Sequence, residues 1–571
     1  MTGEFQVSGR NAAALFTLKL HRGDGMTLLA MNWKGGKPPQ DFVDFAIEYK
    51  EPNGDKFFAL KNRLNFLGPN GKVDLNRVST RLAPIQMFRW VHFPRNAELP
   101  GKFTYKVTPV FMNDKDELSY GEEQKAAIEL RRETYLGQLN VTFTRGYISS
   151  QAFVDNYGST ESISTLLPKR AEDGLTFIPT HPKAIEALNW MGFEARNAIL
   201  EVLDQAIADP KAQVCVIAYD LNEPDVVSRL EQLGARLKVI IDDDGDHGKP
   251  NSSEAQAEKR LKVSAGPNNV KRHHMGKLQH NKTIVVDGPN VQVVVCGSTN
   301  FSWRGFFVQS NNAMILRGKT AVQAFLAAFD AYWQNDNALG FSKTASAQLV
   351  VLEFGGIDMR VGFSPYAAKN SLLAKIAEDM EKNTTSSLFY SLAFLYQTKG
   401  PIRNVIKKLT EDDKLFVYGV SDKRVGGISL QKPNGNIVPV SAAALGKDAP
   451  EPFKSEPVGG GGTRMHHKFV VVDFDQPTAR VYLGSYNFSS AADKQNGENL
   501  LLIRDRRIAV SYAIEAIRII DHYHFRVKQQ EVKNAKEKLA LAKPPRKPGE
   551  IPWWDEYYTD AHKIRDRELF A

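Results

Sequence analysis

The chain has 571 residues, too many for one ordinary domain, and 42% of them are hydrophobic with 24% charged, a composition that excludes wholesale disorder. Its 74 Lys+Arg against 65 Asp+Glu leave a net charge of +9, a mild bias toward anionic partners that does not by itself single out nucleic acid. Cys215 and Cys296 both sit in apolar runs, so they read as buried thiols rather than a disulfide, as in a reducing compartment.

The N-terminus carries no basic head followed by an apolar stretch, and no run approaches the ~20 apolar residues of a membrane span. The expected location is cytoplasmic, with signal-independent secretion left open and any membrane contact peripheral.

From the N-terminus, short β-rich runs recur at 14–21, 27–33, 42–49, 85–93, 102–111 and 136–143, separated by turn sequences such as Asn53-Gly54-Asp55 and Pro69-Asn70-Gly71. Evenly spaced strands without amphipathic helices predict an all-β sandwich, immunoglobulin-like, over residues 1–147, in a docking or targeting role.

From about residue 180 the texture changes to α/β. Ala184–Ala208 has helical apolar spacing, Gln213–Ala218 reads as a strand, 225–233 as a helix and Leu237–Ile241 as a strand. The cycle restarts with a helix at 371–381, a strand at 387–396, a helix at 402–409 and a strand at 415–420. This alternation predicts largely parallel sheets in two similar halves, 148–345 and 346–541, forming one pseudo-symmetric unit. Polar insertions at 242–276 and 421–463, the second ending in Gly459-Gly460-Gly461-Gly462, interrupt the halves at matching points. A final helix over 508–541 carries Lys528, Lys533, Lys536 and Lys538. A Pro-rich, basic tail at 542–571 holds Trp553, Trp554, Tyr557 and Tyr558, which suit either a core cap or a lipid interface.

Each half repeats one constellation after its insertion. The first is His280-Asn281-Lys282, then Asp287, then Gly297-Ser298-Thr299-Asn300. The second is His466-His467-Lys468, then Asp473, then Gly484-Ser485-Tyr486-Asn487. From His to Asn is 20 positions in one copy and 21 in the other. Side chains two apart on an extended chain share a face, so each His lies beside its Lys and offers an imidazole and an ammonium to one anion. Asp287 and Asp473, at an odd offset, leave from the opposite face or the strand end and read as supports. Gly297 and Gly484 permit close backbone approach, and the Ser298, Ser485, Asn300 and Asn487 side chains can donate to phosphoryl oxygens. Two such sets converging would stabilise the charge of a pentavalent phosphorus.

In these residues the sequence resembles the phospholipase D superfamily over about 180–505. The resemblance implies two similar α/β halves packed face to face, and a metal-independent phosphodiesterase working through a phosphohistidine. His280 is the expected nucleophile and His466 the expected proton carrier, with Lys282 and Lys468 as their catalytic partners. Eleven positions past the motif Asn, the second copy has Glu498 where the first has Asn311. A carboxylate raises a histidine's pKa and an amide does not, which favours His466 as the proton donor. No cofactor is expected. No metal is expected either, because His273-His274 with His280, and His522-x-His524, match no zinc spacing. Lys271-Arg272-His273-His274 and Lys277 place cations just ahead of the first motif.

The leading expectation is a phospholipase D-type enzyme that hydrolyses a phospholipid head-group phosphodiester, with transphosphatidylation as an extension, acting as a monomer because one chain holds both motifs. The alternatives are a metal-independent nuclease of the same superfamily, with nucleic acid as partner, and a catalytically silent lipid- or nucleic-acid-binding scaffold.

Overall fold

The computed structural model describes residues 4–571 apart from 63, 69–72, 74–77, 95, 131–132, 147–156, 158–163, 394, 396–398, 423–427, 432–436, 441–464 and 535–538. The turn at Pro69-Asn70-Gly71, most of the 421–463 insertion with its four glycines, Lys536 and Lys538 therefore lie outside the described residues. The chain forms two compact units, Met1–Arg132 with Val510–Ala571, and Glu133–Ala509.

The first unit is antiparallel β-structure. One sheet runs Gln6–Ser8, Phe16–Gly23, Met26–Trp33, Arg89–His92. The other runs Leu118–Tyr120, Lys102–Met112, Phe42–Lys50, Phe58–Ala59, with Gln124–Glu129 also paired to Lys102–Met112. Phe16, Leu18, Leu20, Leu29 and Met31 of the first share a core with Phe45, Ile47, Phe103, Tyr105 and Val107 of the second. Trp554 and Tyr557 join that core, with Trp553 and Tyr558 packed against it, and the Phe88 ring lies 5.5 Å from Trp553 and 5.1 Å from Tyr557. The aromatic tail thus caps a core. The basic residues ahead of it pair with acids of the same unit, Lys543 with Asp116 and Arg546 with Asp114, both at 2.7 Å.

Two expected boundaries move. The strand foreseen at 136–143 does not join the first unit: Leu139–Phe143 pairs antiparallel with Asn312–Arg317 in the second unit, and Val141 and Phe143 are buried there. The last helix runs Arg506–Asn534, and from Val510 onward the chain belongs with the β unit, so neither 541 nor 542 is a domain edge.

The second unit is mixed α/β with two sheets. The first has the order Leu139–Phe143, Asn312–Arg317, Gln292–Gly297, Thr283–Asp287, Gln213–Ala218, Leu237–Ile241, Val270–Arg272. The second has Val350–Phe354, Ile357–Ser364, Glu498–Arg504, Arg480–Gly484, Lys468–Val472, Ser387–Ala393, Phe416–Asp422, Ile428–Gln431, Ile437–Val440. In both, the motif strand lies antiparallel between its hairpin partner and a strand that in turn pairs parallel with the next. The expectation of largely parallel sheets is corrected here. The short connection at 288–291 between motif strand and hairpin partner can only join antiparallel strands.

Helices form where the periodicity placed them. Pro224–Leu233 starts on a proline, is capped by the Glu223 carboxylate accepting from Val226 N–H, and buries Val226, Val227, Leu230 and Leu233. Pro401–Thr410 buries Ile402, Val405, Ile406 and Leu409 in the same way. The 242–276 insertion is not merely loop, since it contains the helix Ser253–Ala265, capped by Ser252, and the edge strand Val270–Arg272. Among the described residues, no helix is long and apolar enough to cross a membrane.

Candidate functional site

Both motifs enter their strands from extended chain, at Thr283 and at Lys468, which brings His280 and His466 together with ring centres 6.2 Å apart. Both imidazoles and both lysines are buried. Lys282 donates to the backbone carbonyl of His280, and Lys468 to that of His466 at 2.7 Å, so each ammonium is tied to its own histidine. Tyr219 wedges against the first pair, its ring 4.7 Å from His280 and 4.6 Å from the Lys282 Nζ.

The glycine requirement is visible at both motifs. Gly297 and Gly484 have φ of +136° and +142°, and an added Cβ would lie 2.6 Å from the Asn312 carbonyl and 2.3 Å from the Asn499 carbonyl. Those carbonyls accept the N–H groups of Ser298 and Ser485 at 3.0 and 3.1 Å, which turns the chain away from the strand and toward the motif Asn. Ser298 Oγ donates to Asn311 at 2.9 Å and accepts from Asn312 N–H at 3.1 Å, while Ser485 Oγ accepts from Asn499 N–H at 2.9 Å. Both serines therefore help to hold the turn.

The motif Asp residues sit at strand ends, as their offset requires. Asp473 is buried with φ +52° and accepts from the N–H groups of Thr385, Ser386 and Ser387, pinning the start of the neighbouring strand. Asp287 is half-buried and accepts from Gln292 at 2.9 Å.

Glu498 is not where its own half would put it. Its Oε1 faces His280 Nδ1 at 3.4 Å, an ion-pair distance longer than a hydrogen bond. Asn311 faces His466, whose Nδ1 lies 2.8 Å from Asn311 Oδ1 and 3.1 Å from the Ser298 carbonyl. The expectation that Glu498 serves His466 is thus corrected. The cause is a reciprocal exchange between halves, with Gln279 bridging Gly497 and Ser310 bridging Met465 in parallel β-bridges. Each half thereby carries its acid or amide position across to the other half's histidine. Asn499 Nδ2 donating to Asn281 Oδ1 at 2.8 Å tightens the seam.

Burial dominates the electrostatics. It pushes His280 well below the ordinary imidazole range, with Lys282 and Lys468 adding to the effect and Asp220 opposing it. His466 moves the same way, by burial, then Lys468 and Lys282. Lys282 is brought down to about 7 by burial against the pull of Asp220, Glu498 and Asp242, and Lys468 is also lowered. Burial raises Glu498 to about 7, although Asn496 and both lysines favour its anion. The empty site is therefore short of positive charge.

Three carboxylates had little or no sequence signal. Asp242 Oδ1 accepts from Gln279 N–H at 2.6 Å, and Asp422 Oδ2 from Met465 N–H at 3.0 Å, so each fixes the residue ahead of a motif histidine. Their only mark in the sequence is a shared place just after a buried strand. Asp220 Oδ2 accepts from Asn300 Nδ2 at 2.7 Å. Asn300 Oδ1 and Asn487 Oδ1 are buried without a protein partner. Cys215 and Cys296 are buried free thiols. Of the histidines weighed as metal ligands, His274 pairs with Asp243 at 2.7 Å and His273 with the Asn335 carbonyl at 3.1 Å, so neither turns to His280.

A family model described as "Cardiolipin synthase, PLD-like domain" matches residues 203–333 and 446–519, which contain both motifs. A phospholipase D of Rickettsia felis is 45% identical over 47 residues, 8% of this chain and 22% of that protein. A phospholipase D of Rickettsia prowazekii is 45% identical over 47 residues, 8% of this chain and 21% of its own length. The chain thus matches little more than a fifth of the length of these curated relatives. Among solved structures, phosphatidylserine synthase of Haemophilus influenzae aligns with a TM-score of 0.41 at 13% identity, over 60% of this chain and 92% of that one. Nuc of Salmonella typhimurium, a phospholipase D family member, aligns with a TM-score of 0.20 at 26% identity, over 24% of this chain and 86% of its own.

Proposed function

This chain belongs to the phospholipase D superfamily, and on that premise we propose that it is a phosphodiesterase of phospholipase D type, cleaving a phospholipid head-group diester through a phosphohistidine. The observation that carries the reading is the meeting of His280 and His466 between Lys282 and Lys468, with one carboxylate, Glu498, facing His280 and, among the described residues, the Asn311 amide facing His466.

That asymmetry supports unequal roles for the two histidines. His280, neutral in the empty site, attacks phosphorus through Nε2, and the bond from phosphorus to the leaving oxygen breaks as that oxygen takes a proton from His466, which has gained that proton from solvent on binding of the anionic substrate. The phosphorylated imidazole carries a positive charge, which Glu498 beside Nδ1 compensates. His466 then removes a proton from water. The resulting hydroxide attacks phosphorus, the P–N bond breaks, and a phosphate monoester leaves with His280 neutral again. An alcohol in place of water gives transphosphatidylation. Lys282, Lys468 and the amides of Asn300 and Asn487 hold the phosphoryl oxygens, supplying the charge that a metal would otherwise bring. Asp287, Asp473, Ser298, Ser485, Gly297 and Gly484 shape the turns behind them.

The matching strand orders support reading the second unit as one pseudo-symmetric catalytic body, complete in a single chain. The two antiparallel sheets around one core support an immunoglobulin-like sandwich for the first. A lipid substrate is favoured by the descriptions of the family model and of the relatives.

The test is a panel run in EDTA, with phosphatidylcholine and phosphatidylethanolamine vesicles beside single- and double-stranded DNA and RNA. Head-group release that is lost in both His280→Ala and His466→Ala is expected, with a labelled, acid-labile phosphoenzyme absent from His280→Ala. Cleavage of nucleic acid alone would overturn the substrate, and a label lost only in His466→Ala would reverse the roles.

A further inference from the structure

The first half carries a charged device that neither motif specifies. His247, in the 242–276 insertion, lies between two carboxylates: its Nδ1 is 2.7 Å from Asp242 Oδ2 and its Nε2 is 3.2 Å from Asp220 Oδ1. Both carboxylates already serve the site. Asp242 holds the N–H ahead of His280, and the other oxygen of Asp220 accepts from Asn300 at 2.7 Å and from Ser302 at 3.4 Å. The Tyr219 ring separates His247 from His280, 4.6 Å from the first and 4.7 Å from the second.

We propose that His247 is a positioning residue for the first half's phosphate site, clamping Asp242 and Asp220 so that Asn300 and the His280 segment hold one geometry. The inference rests on the phosphodiesterase reading above. With both ring nitrogens facing carboxylate oxygens, the imidazole must donate from both, which only the imidazolium can do. The surroundings agree. Although burial lowers it, hydrogen bonds and charge from Asp220 and Asp242, with Glu254 behind them, bring His247 up to about 10. The other groups facing it are Tyr219, the neighbouring Asp246, and Arg272, whose guanidinium binds the His247 carbonyl at 2.6 Å. Its charge also solves a local problem. Asp220 and Asp242 lie next to a site that must accept an anion, and without a cation between them they would repel it.

Asp220, His247 and Glu254 offer three ligand atoms within 4.8 Å of one another, a grouping that could suit a metal ion. His247 has no lone pair to give, however, while both nitrogens face Asp220 and Asp242. The second half has no matching clamp among its described residues. Among the described residues the clamp belongs to the half that carries the proposed nucleophile.

The experiment compares the full chain with His247→Gln, Asp220→Asn and the double variant on bis-p-nitrophenyl phosphate, with His280→Ala as reference. His247→Gln is expected to lose roughly 10²-fold in kcat with little change in KM, the size of a small misplacement of reacting groups. The double variant should fall no further than the worse single, because the two residues act as a unit. Imidazole 15N NMR, assigned by difference against His247→Gln, should show His247 doubly protonated at pH 8, a readout independent of turnover. Full kcat in His247→Gln, additive losses, or a singly protonated His247 at pH 8 would overturn the inference while an inactive His280→Ala leaves the phosphodiesterase reading standing. Turnover surviving in His280→Ala would overturn that reading and this inference with it.

Discussion

Binding of a tetrahedral dianion should draw protons into the protein. Burial holds Lys282 at about 7, so in the empty site at pH 8 only roughly one molecule in eleven carries that ammonium. A dianion placed against Nζ restores the charge, and the uptake attributable to Lys282 alone is then roughly 0.9 proton per site. Lys468, lowered by the same burial, adds to this, and so does Glu498, whose carboxylate at about 7 gains a negative neighbour. Linkage fixes the sign: uptake on binding means that affinity falls as pH rises, by up to about tenfold per unit above pH 7 for one proton. Tungstate is the suitable probe because it is a dianion throughout this range. Calorimetry at pH 8 in buffers of different ionisation enthalpy reads the proton number directly. Lys282→Met, which keeps the length of the side chain, should bind tungstate more weakly and with less uptake. Release of protons, or zero uptake in the native chain, would refute the argument that these lysines are discharged by burial and recharged by the ligand.

Glu498→Gln should lower kcat by ~10²-fold if the carboxylate compensates a charged intermediate at His280. In the native chain, activity should fall as pH drops through about 7 and Glu498 takes a proton, and that limb should vanish in the variant's pH–rate profile. In the other unit, Trp554→Ala should cost about 3–5 kcal/mol in denaturant unfolding, since the indole lies within that unit's hydrophobic core. A loss below ~1 kcal/mol would mean the tail merely lies on the surface.

Much of the fold could be read from periodicity, because the elements that count are amphipathic with clear ends. Pro224–Leu233 shows both its cap and its stripe in the sequence. Strand direction could not be read in this way. A run such as 283–287 is buried on both faces whichever way its neighbour points, and alternation with helices suggested parallel pairing where hairpins intervene. The fate of Leu139–Phe143 was equally hidden, since its apolar side chains suit either β-structure and only the partner Asn312–Arg317 decides. The tail was ambiguous for a related reason. Paired indoles beside cations fit a bilayer surface and a sandwich core alike, and the choice falls to Phe88 and the acids that bind Lys543 and Arg546.

The motif residues were legible because two copies repeat both residue type and spacing, but the pairing of Glu498 was not. Linear distance suggests that an acid eleven positions past one motif serves that motif, and the strand exchange at Gln279–Gly497 and Ser310–Met465 reverses the inference. The correction changes the mechanism rather than removing it. An acid at His466 would have made that imidazole the better proton donor, whereas an acid at His280 stabilises the charge formed after attack. The proposed mechanism keeps His280 as the nucleophile, and only the second argument ties one half's chemistry to the other half's side chain. Each half then lacks part of its own site: the first has a histidine without its carboxylate, and the second a histidine without the amide and carbonyl of Asn311 and Ser298. Separated halves would hold complete motifs and still lack part of the proposed site, which is assembled at the seam between them.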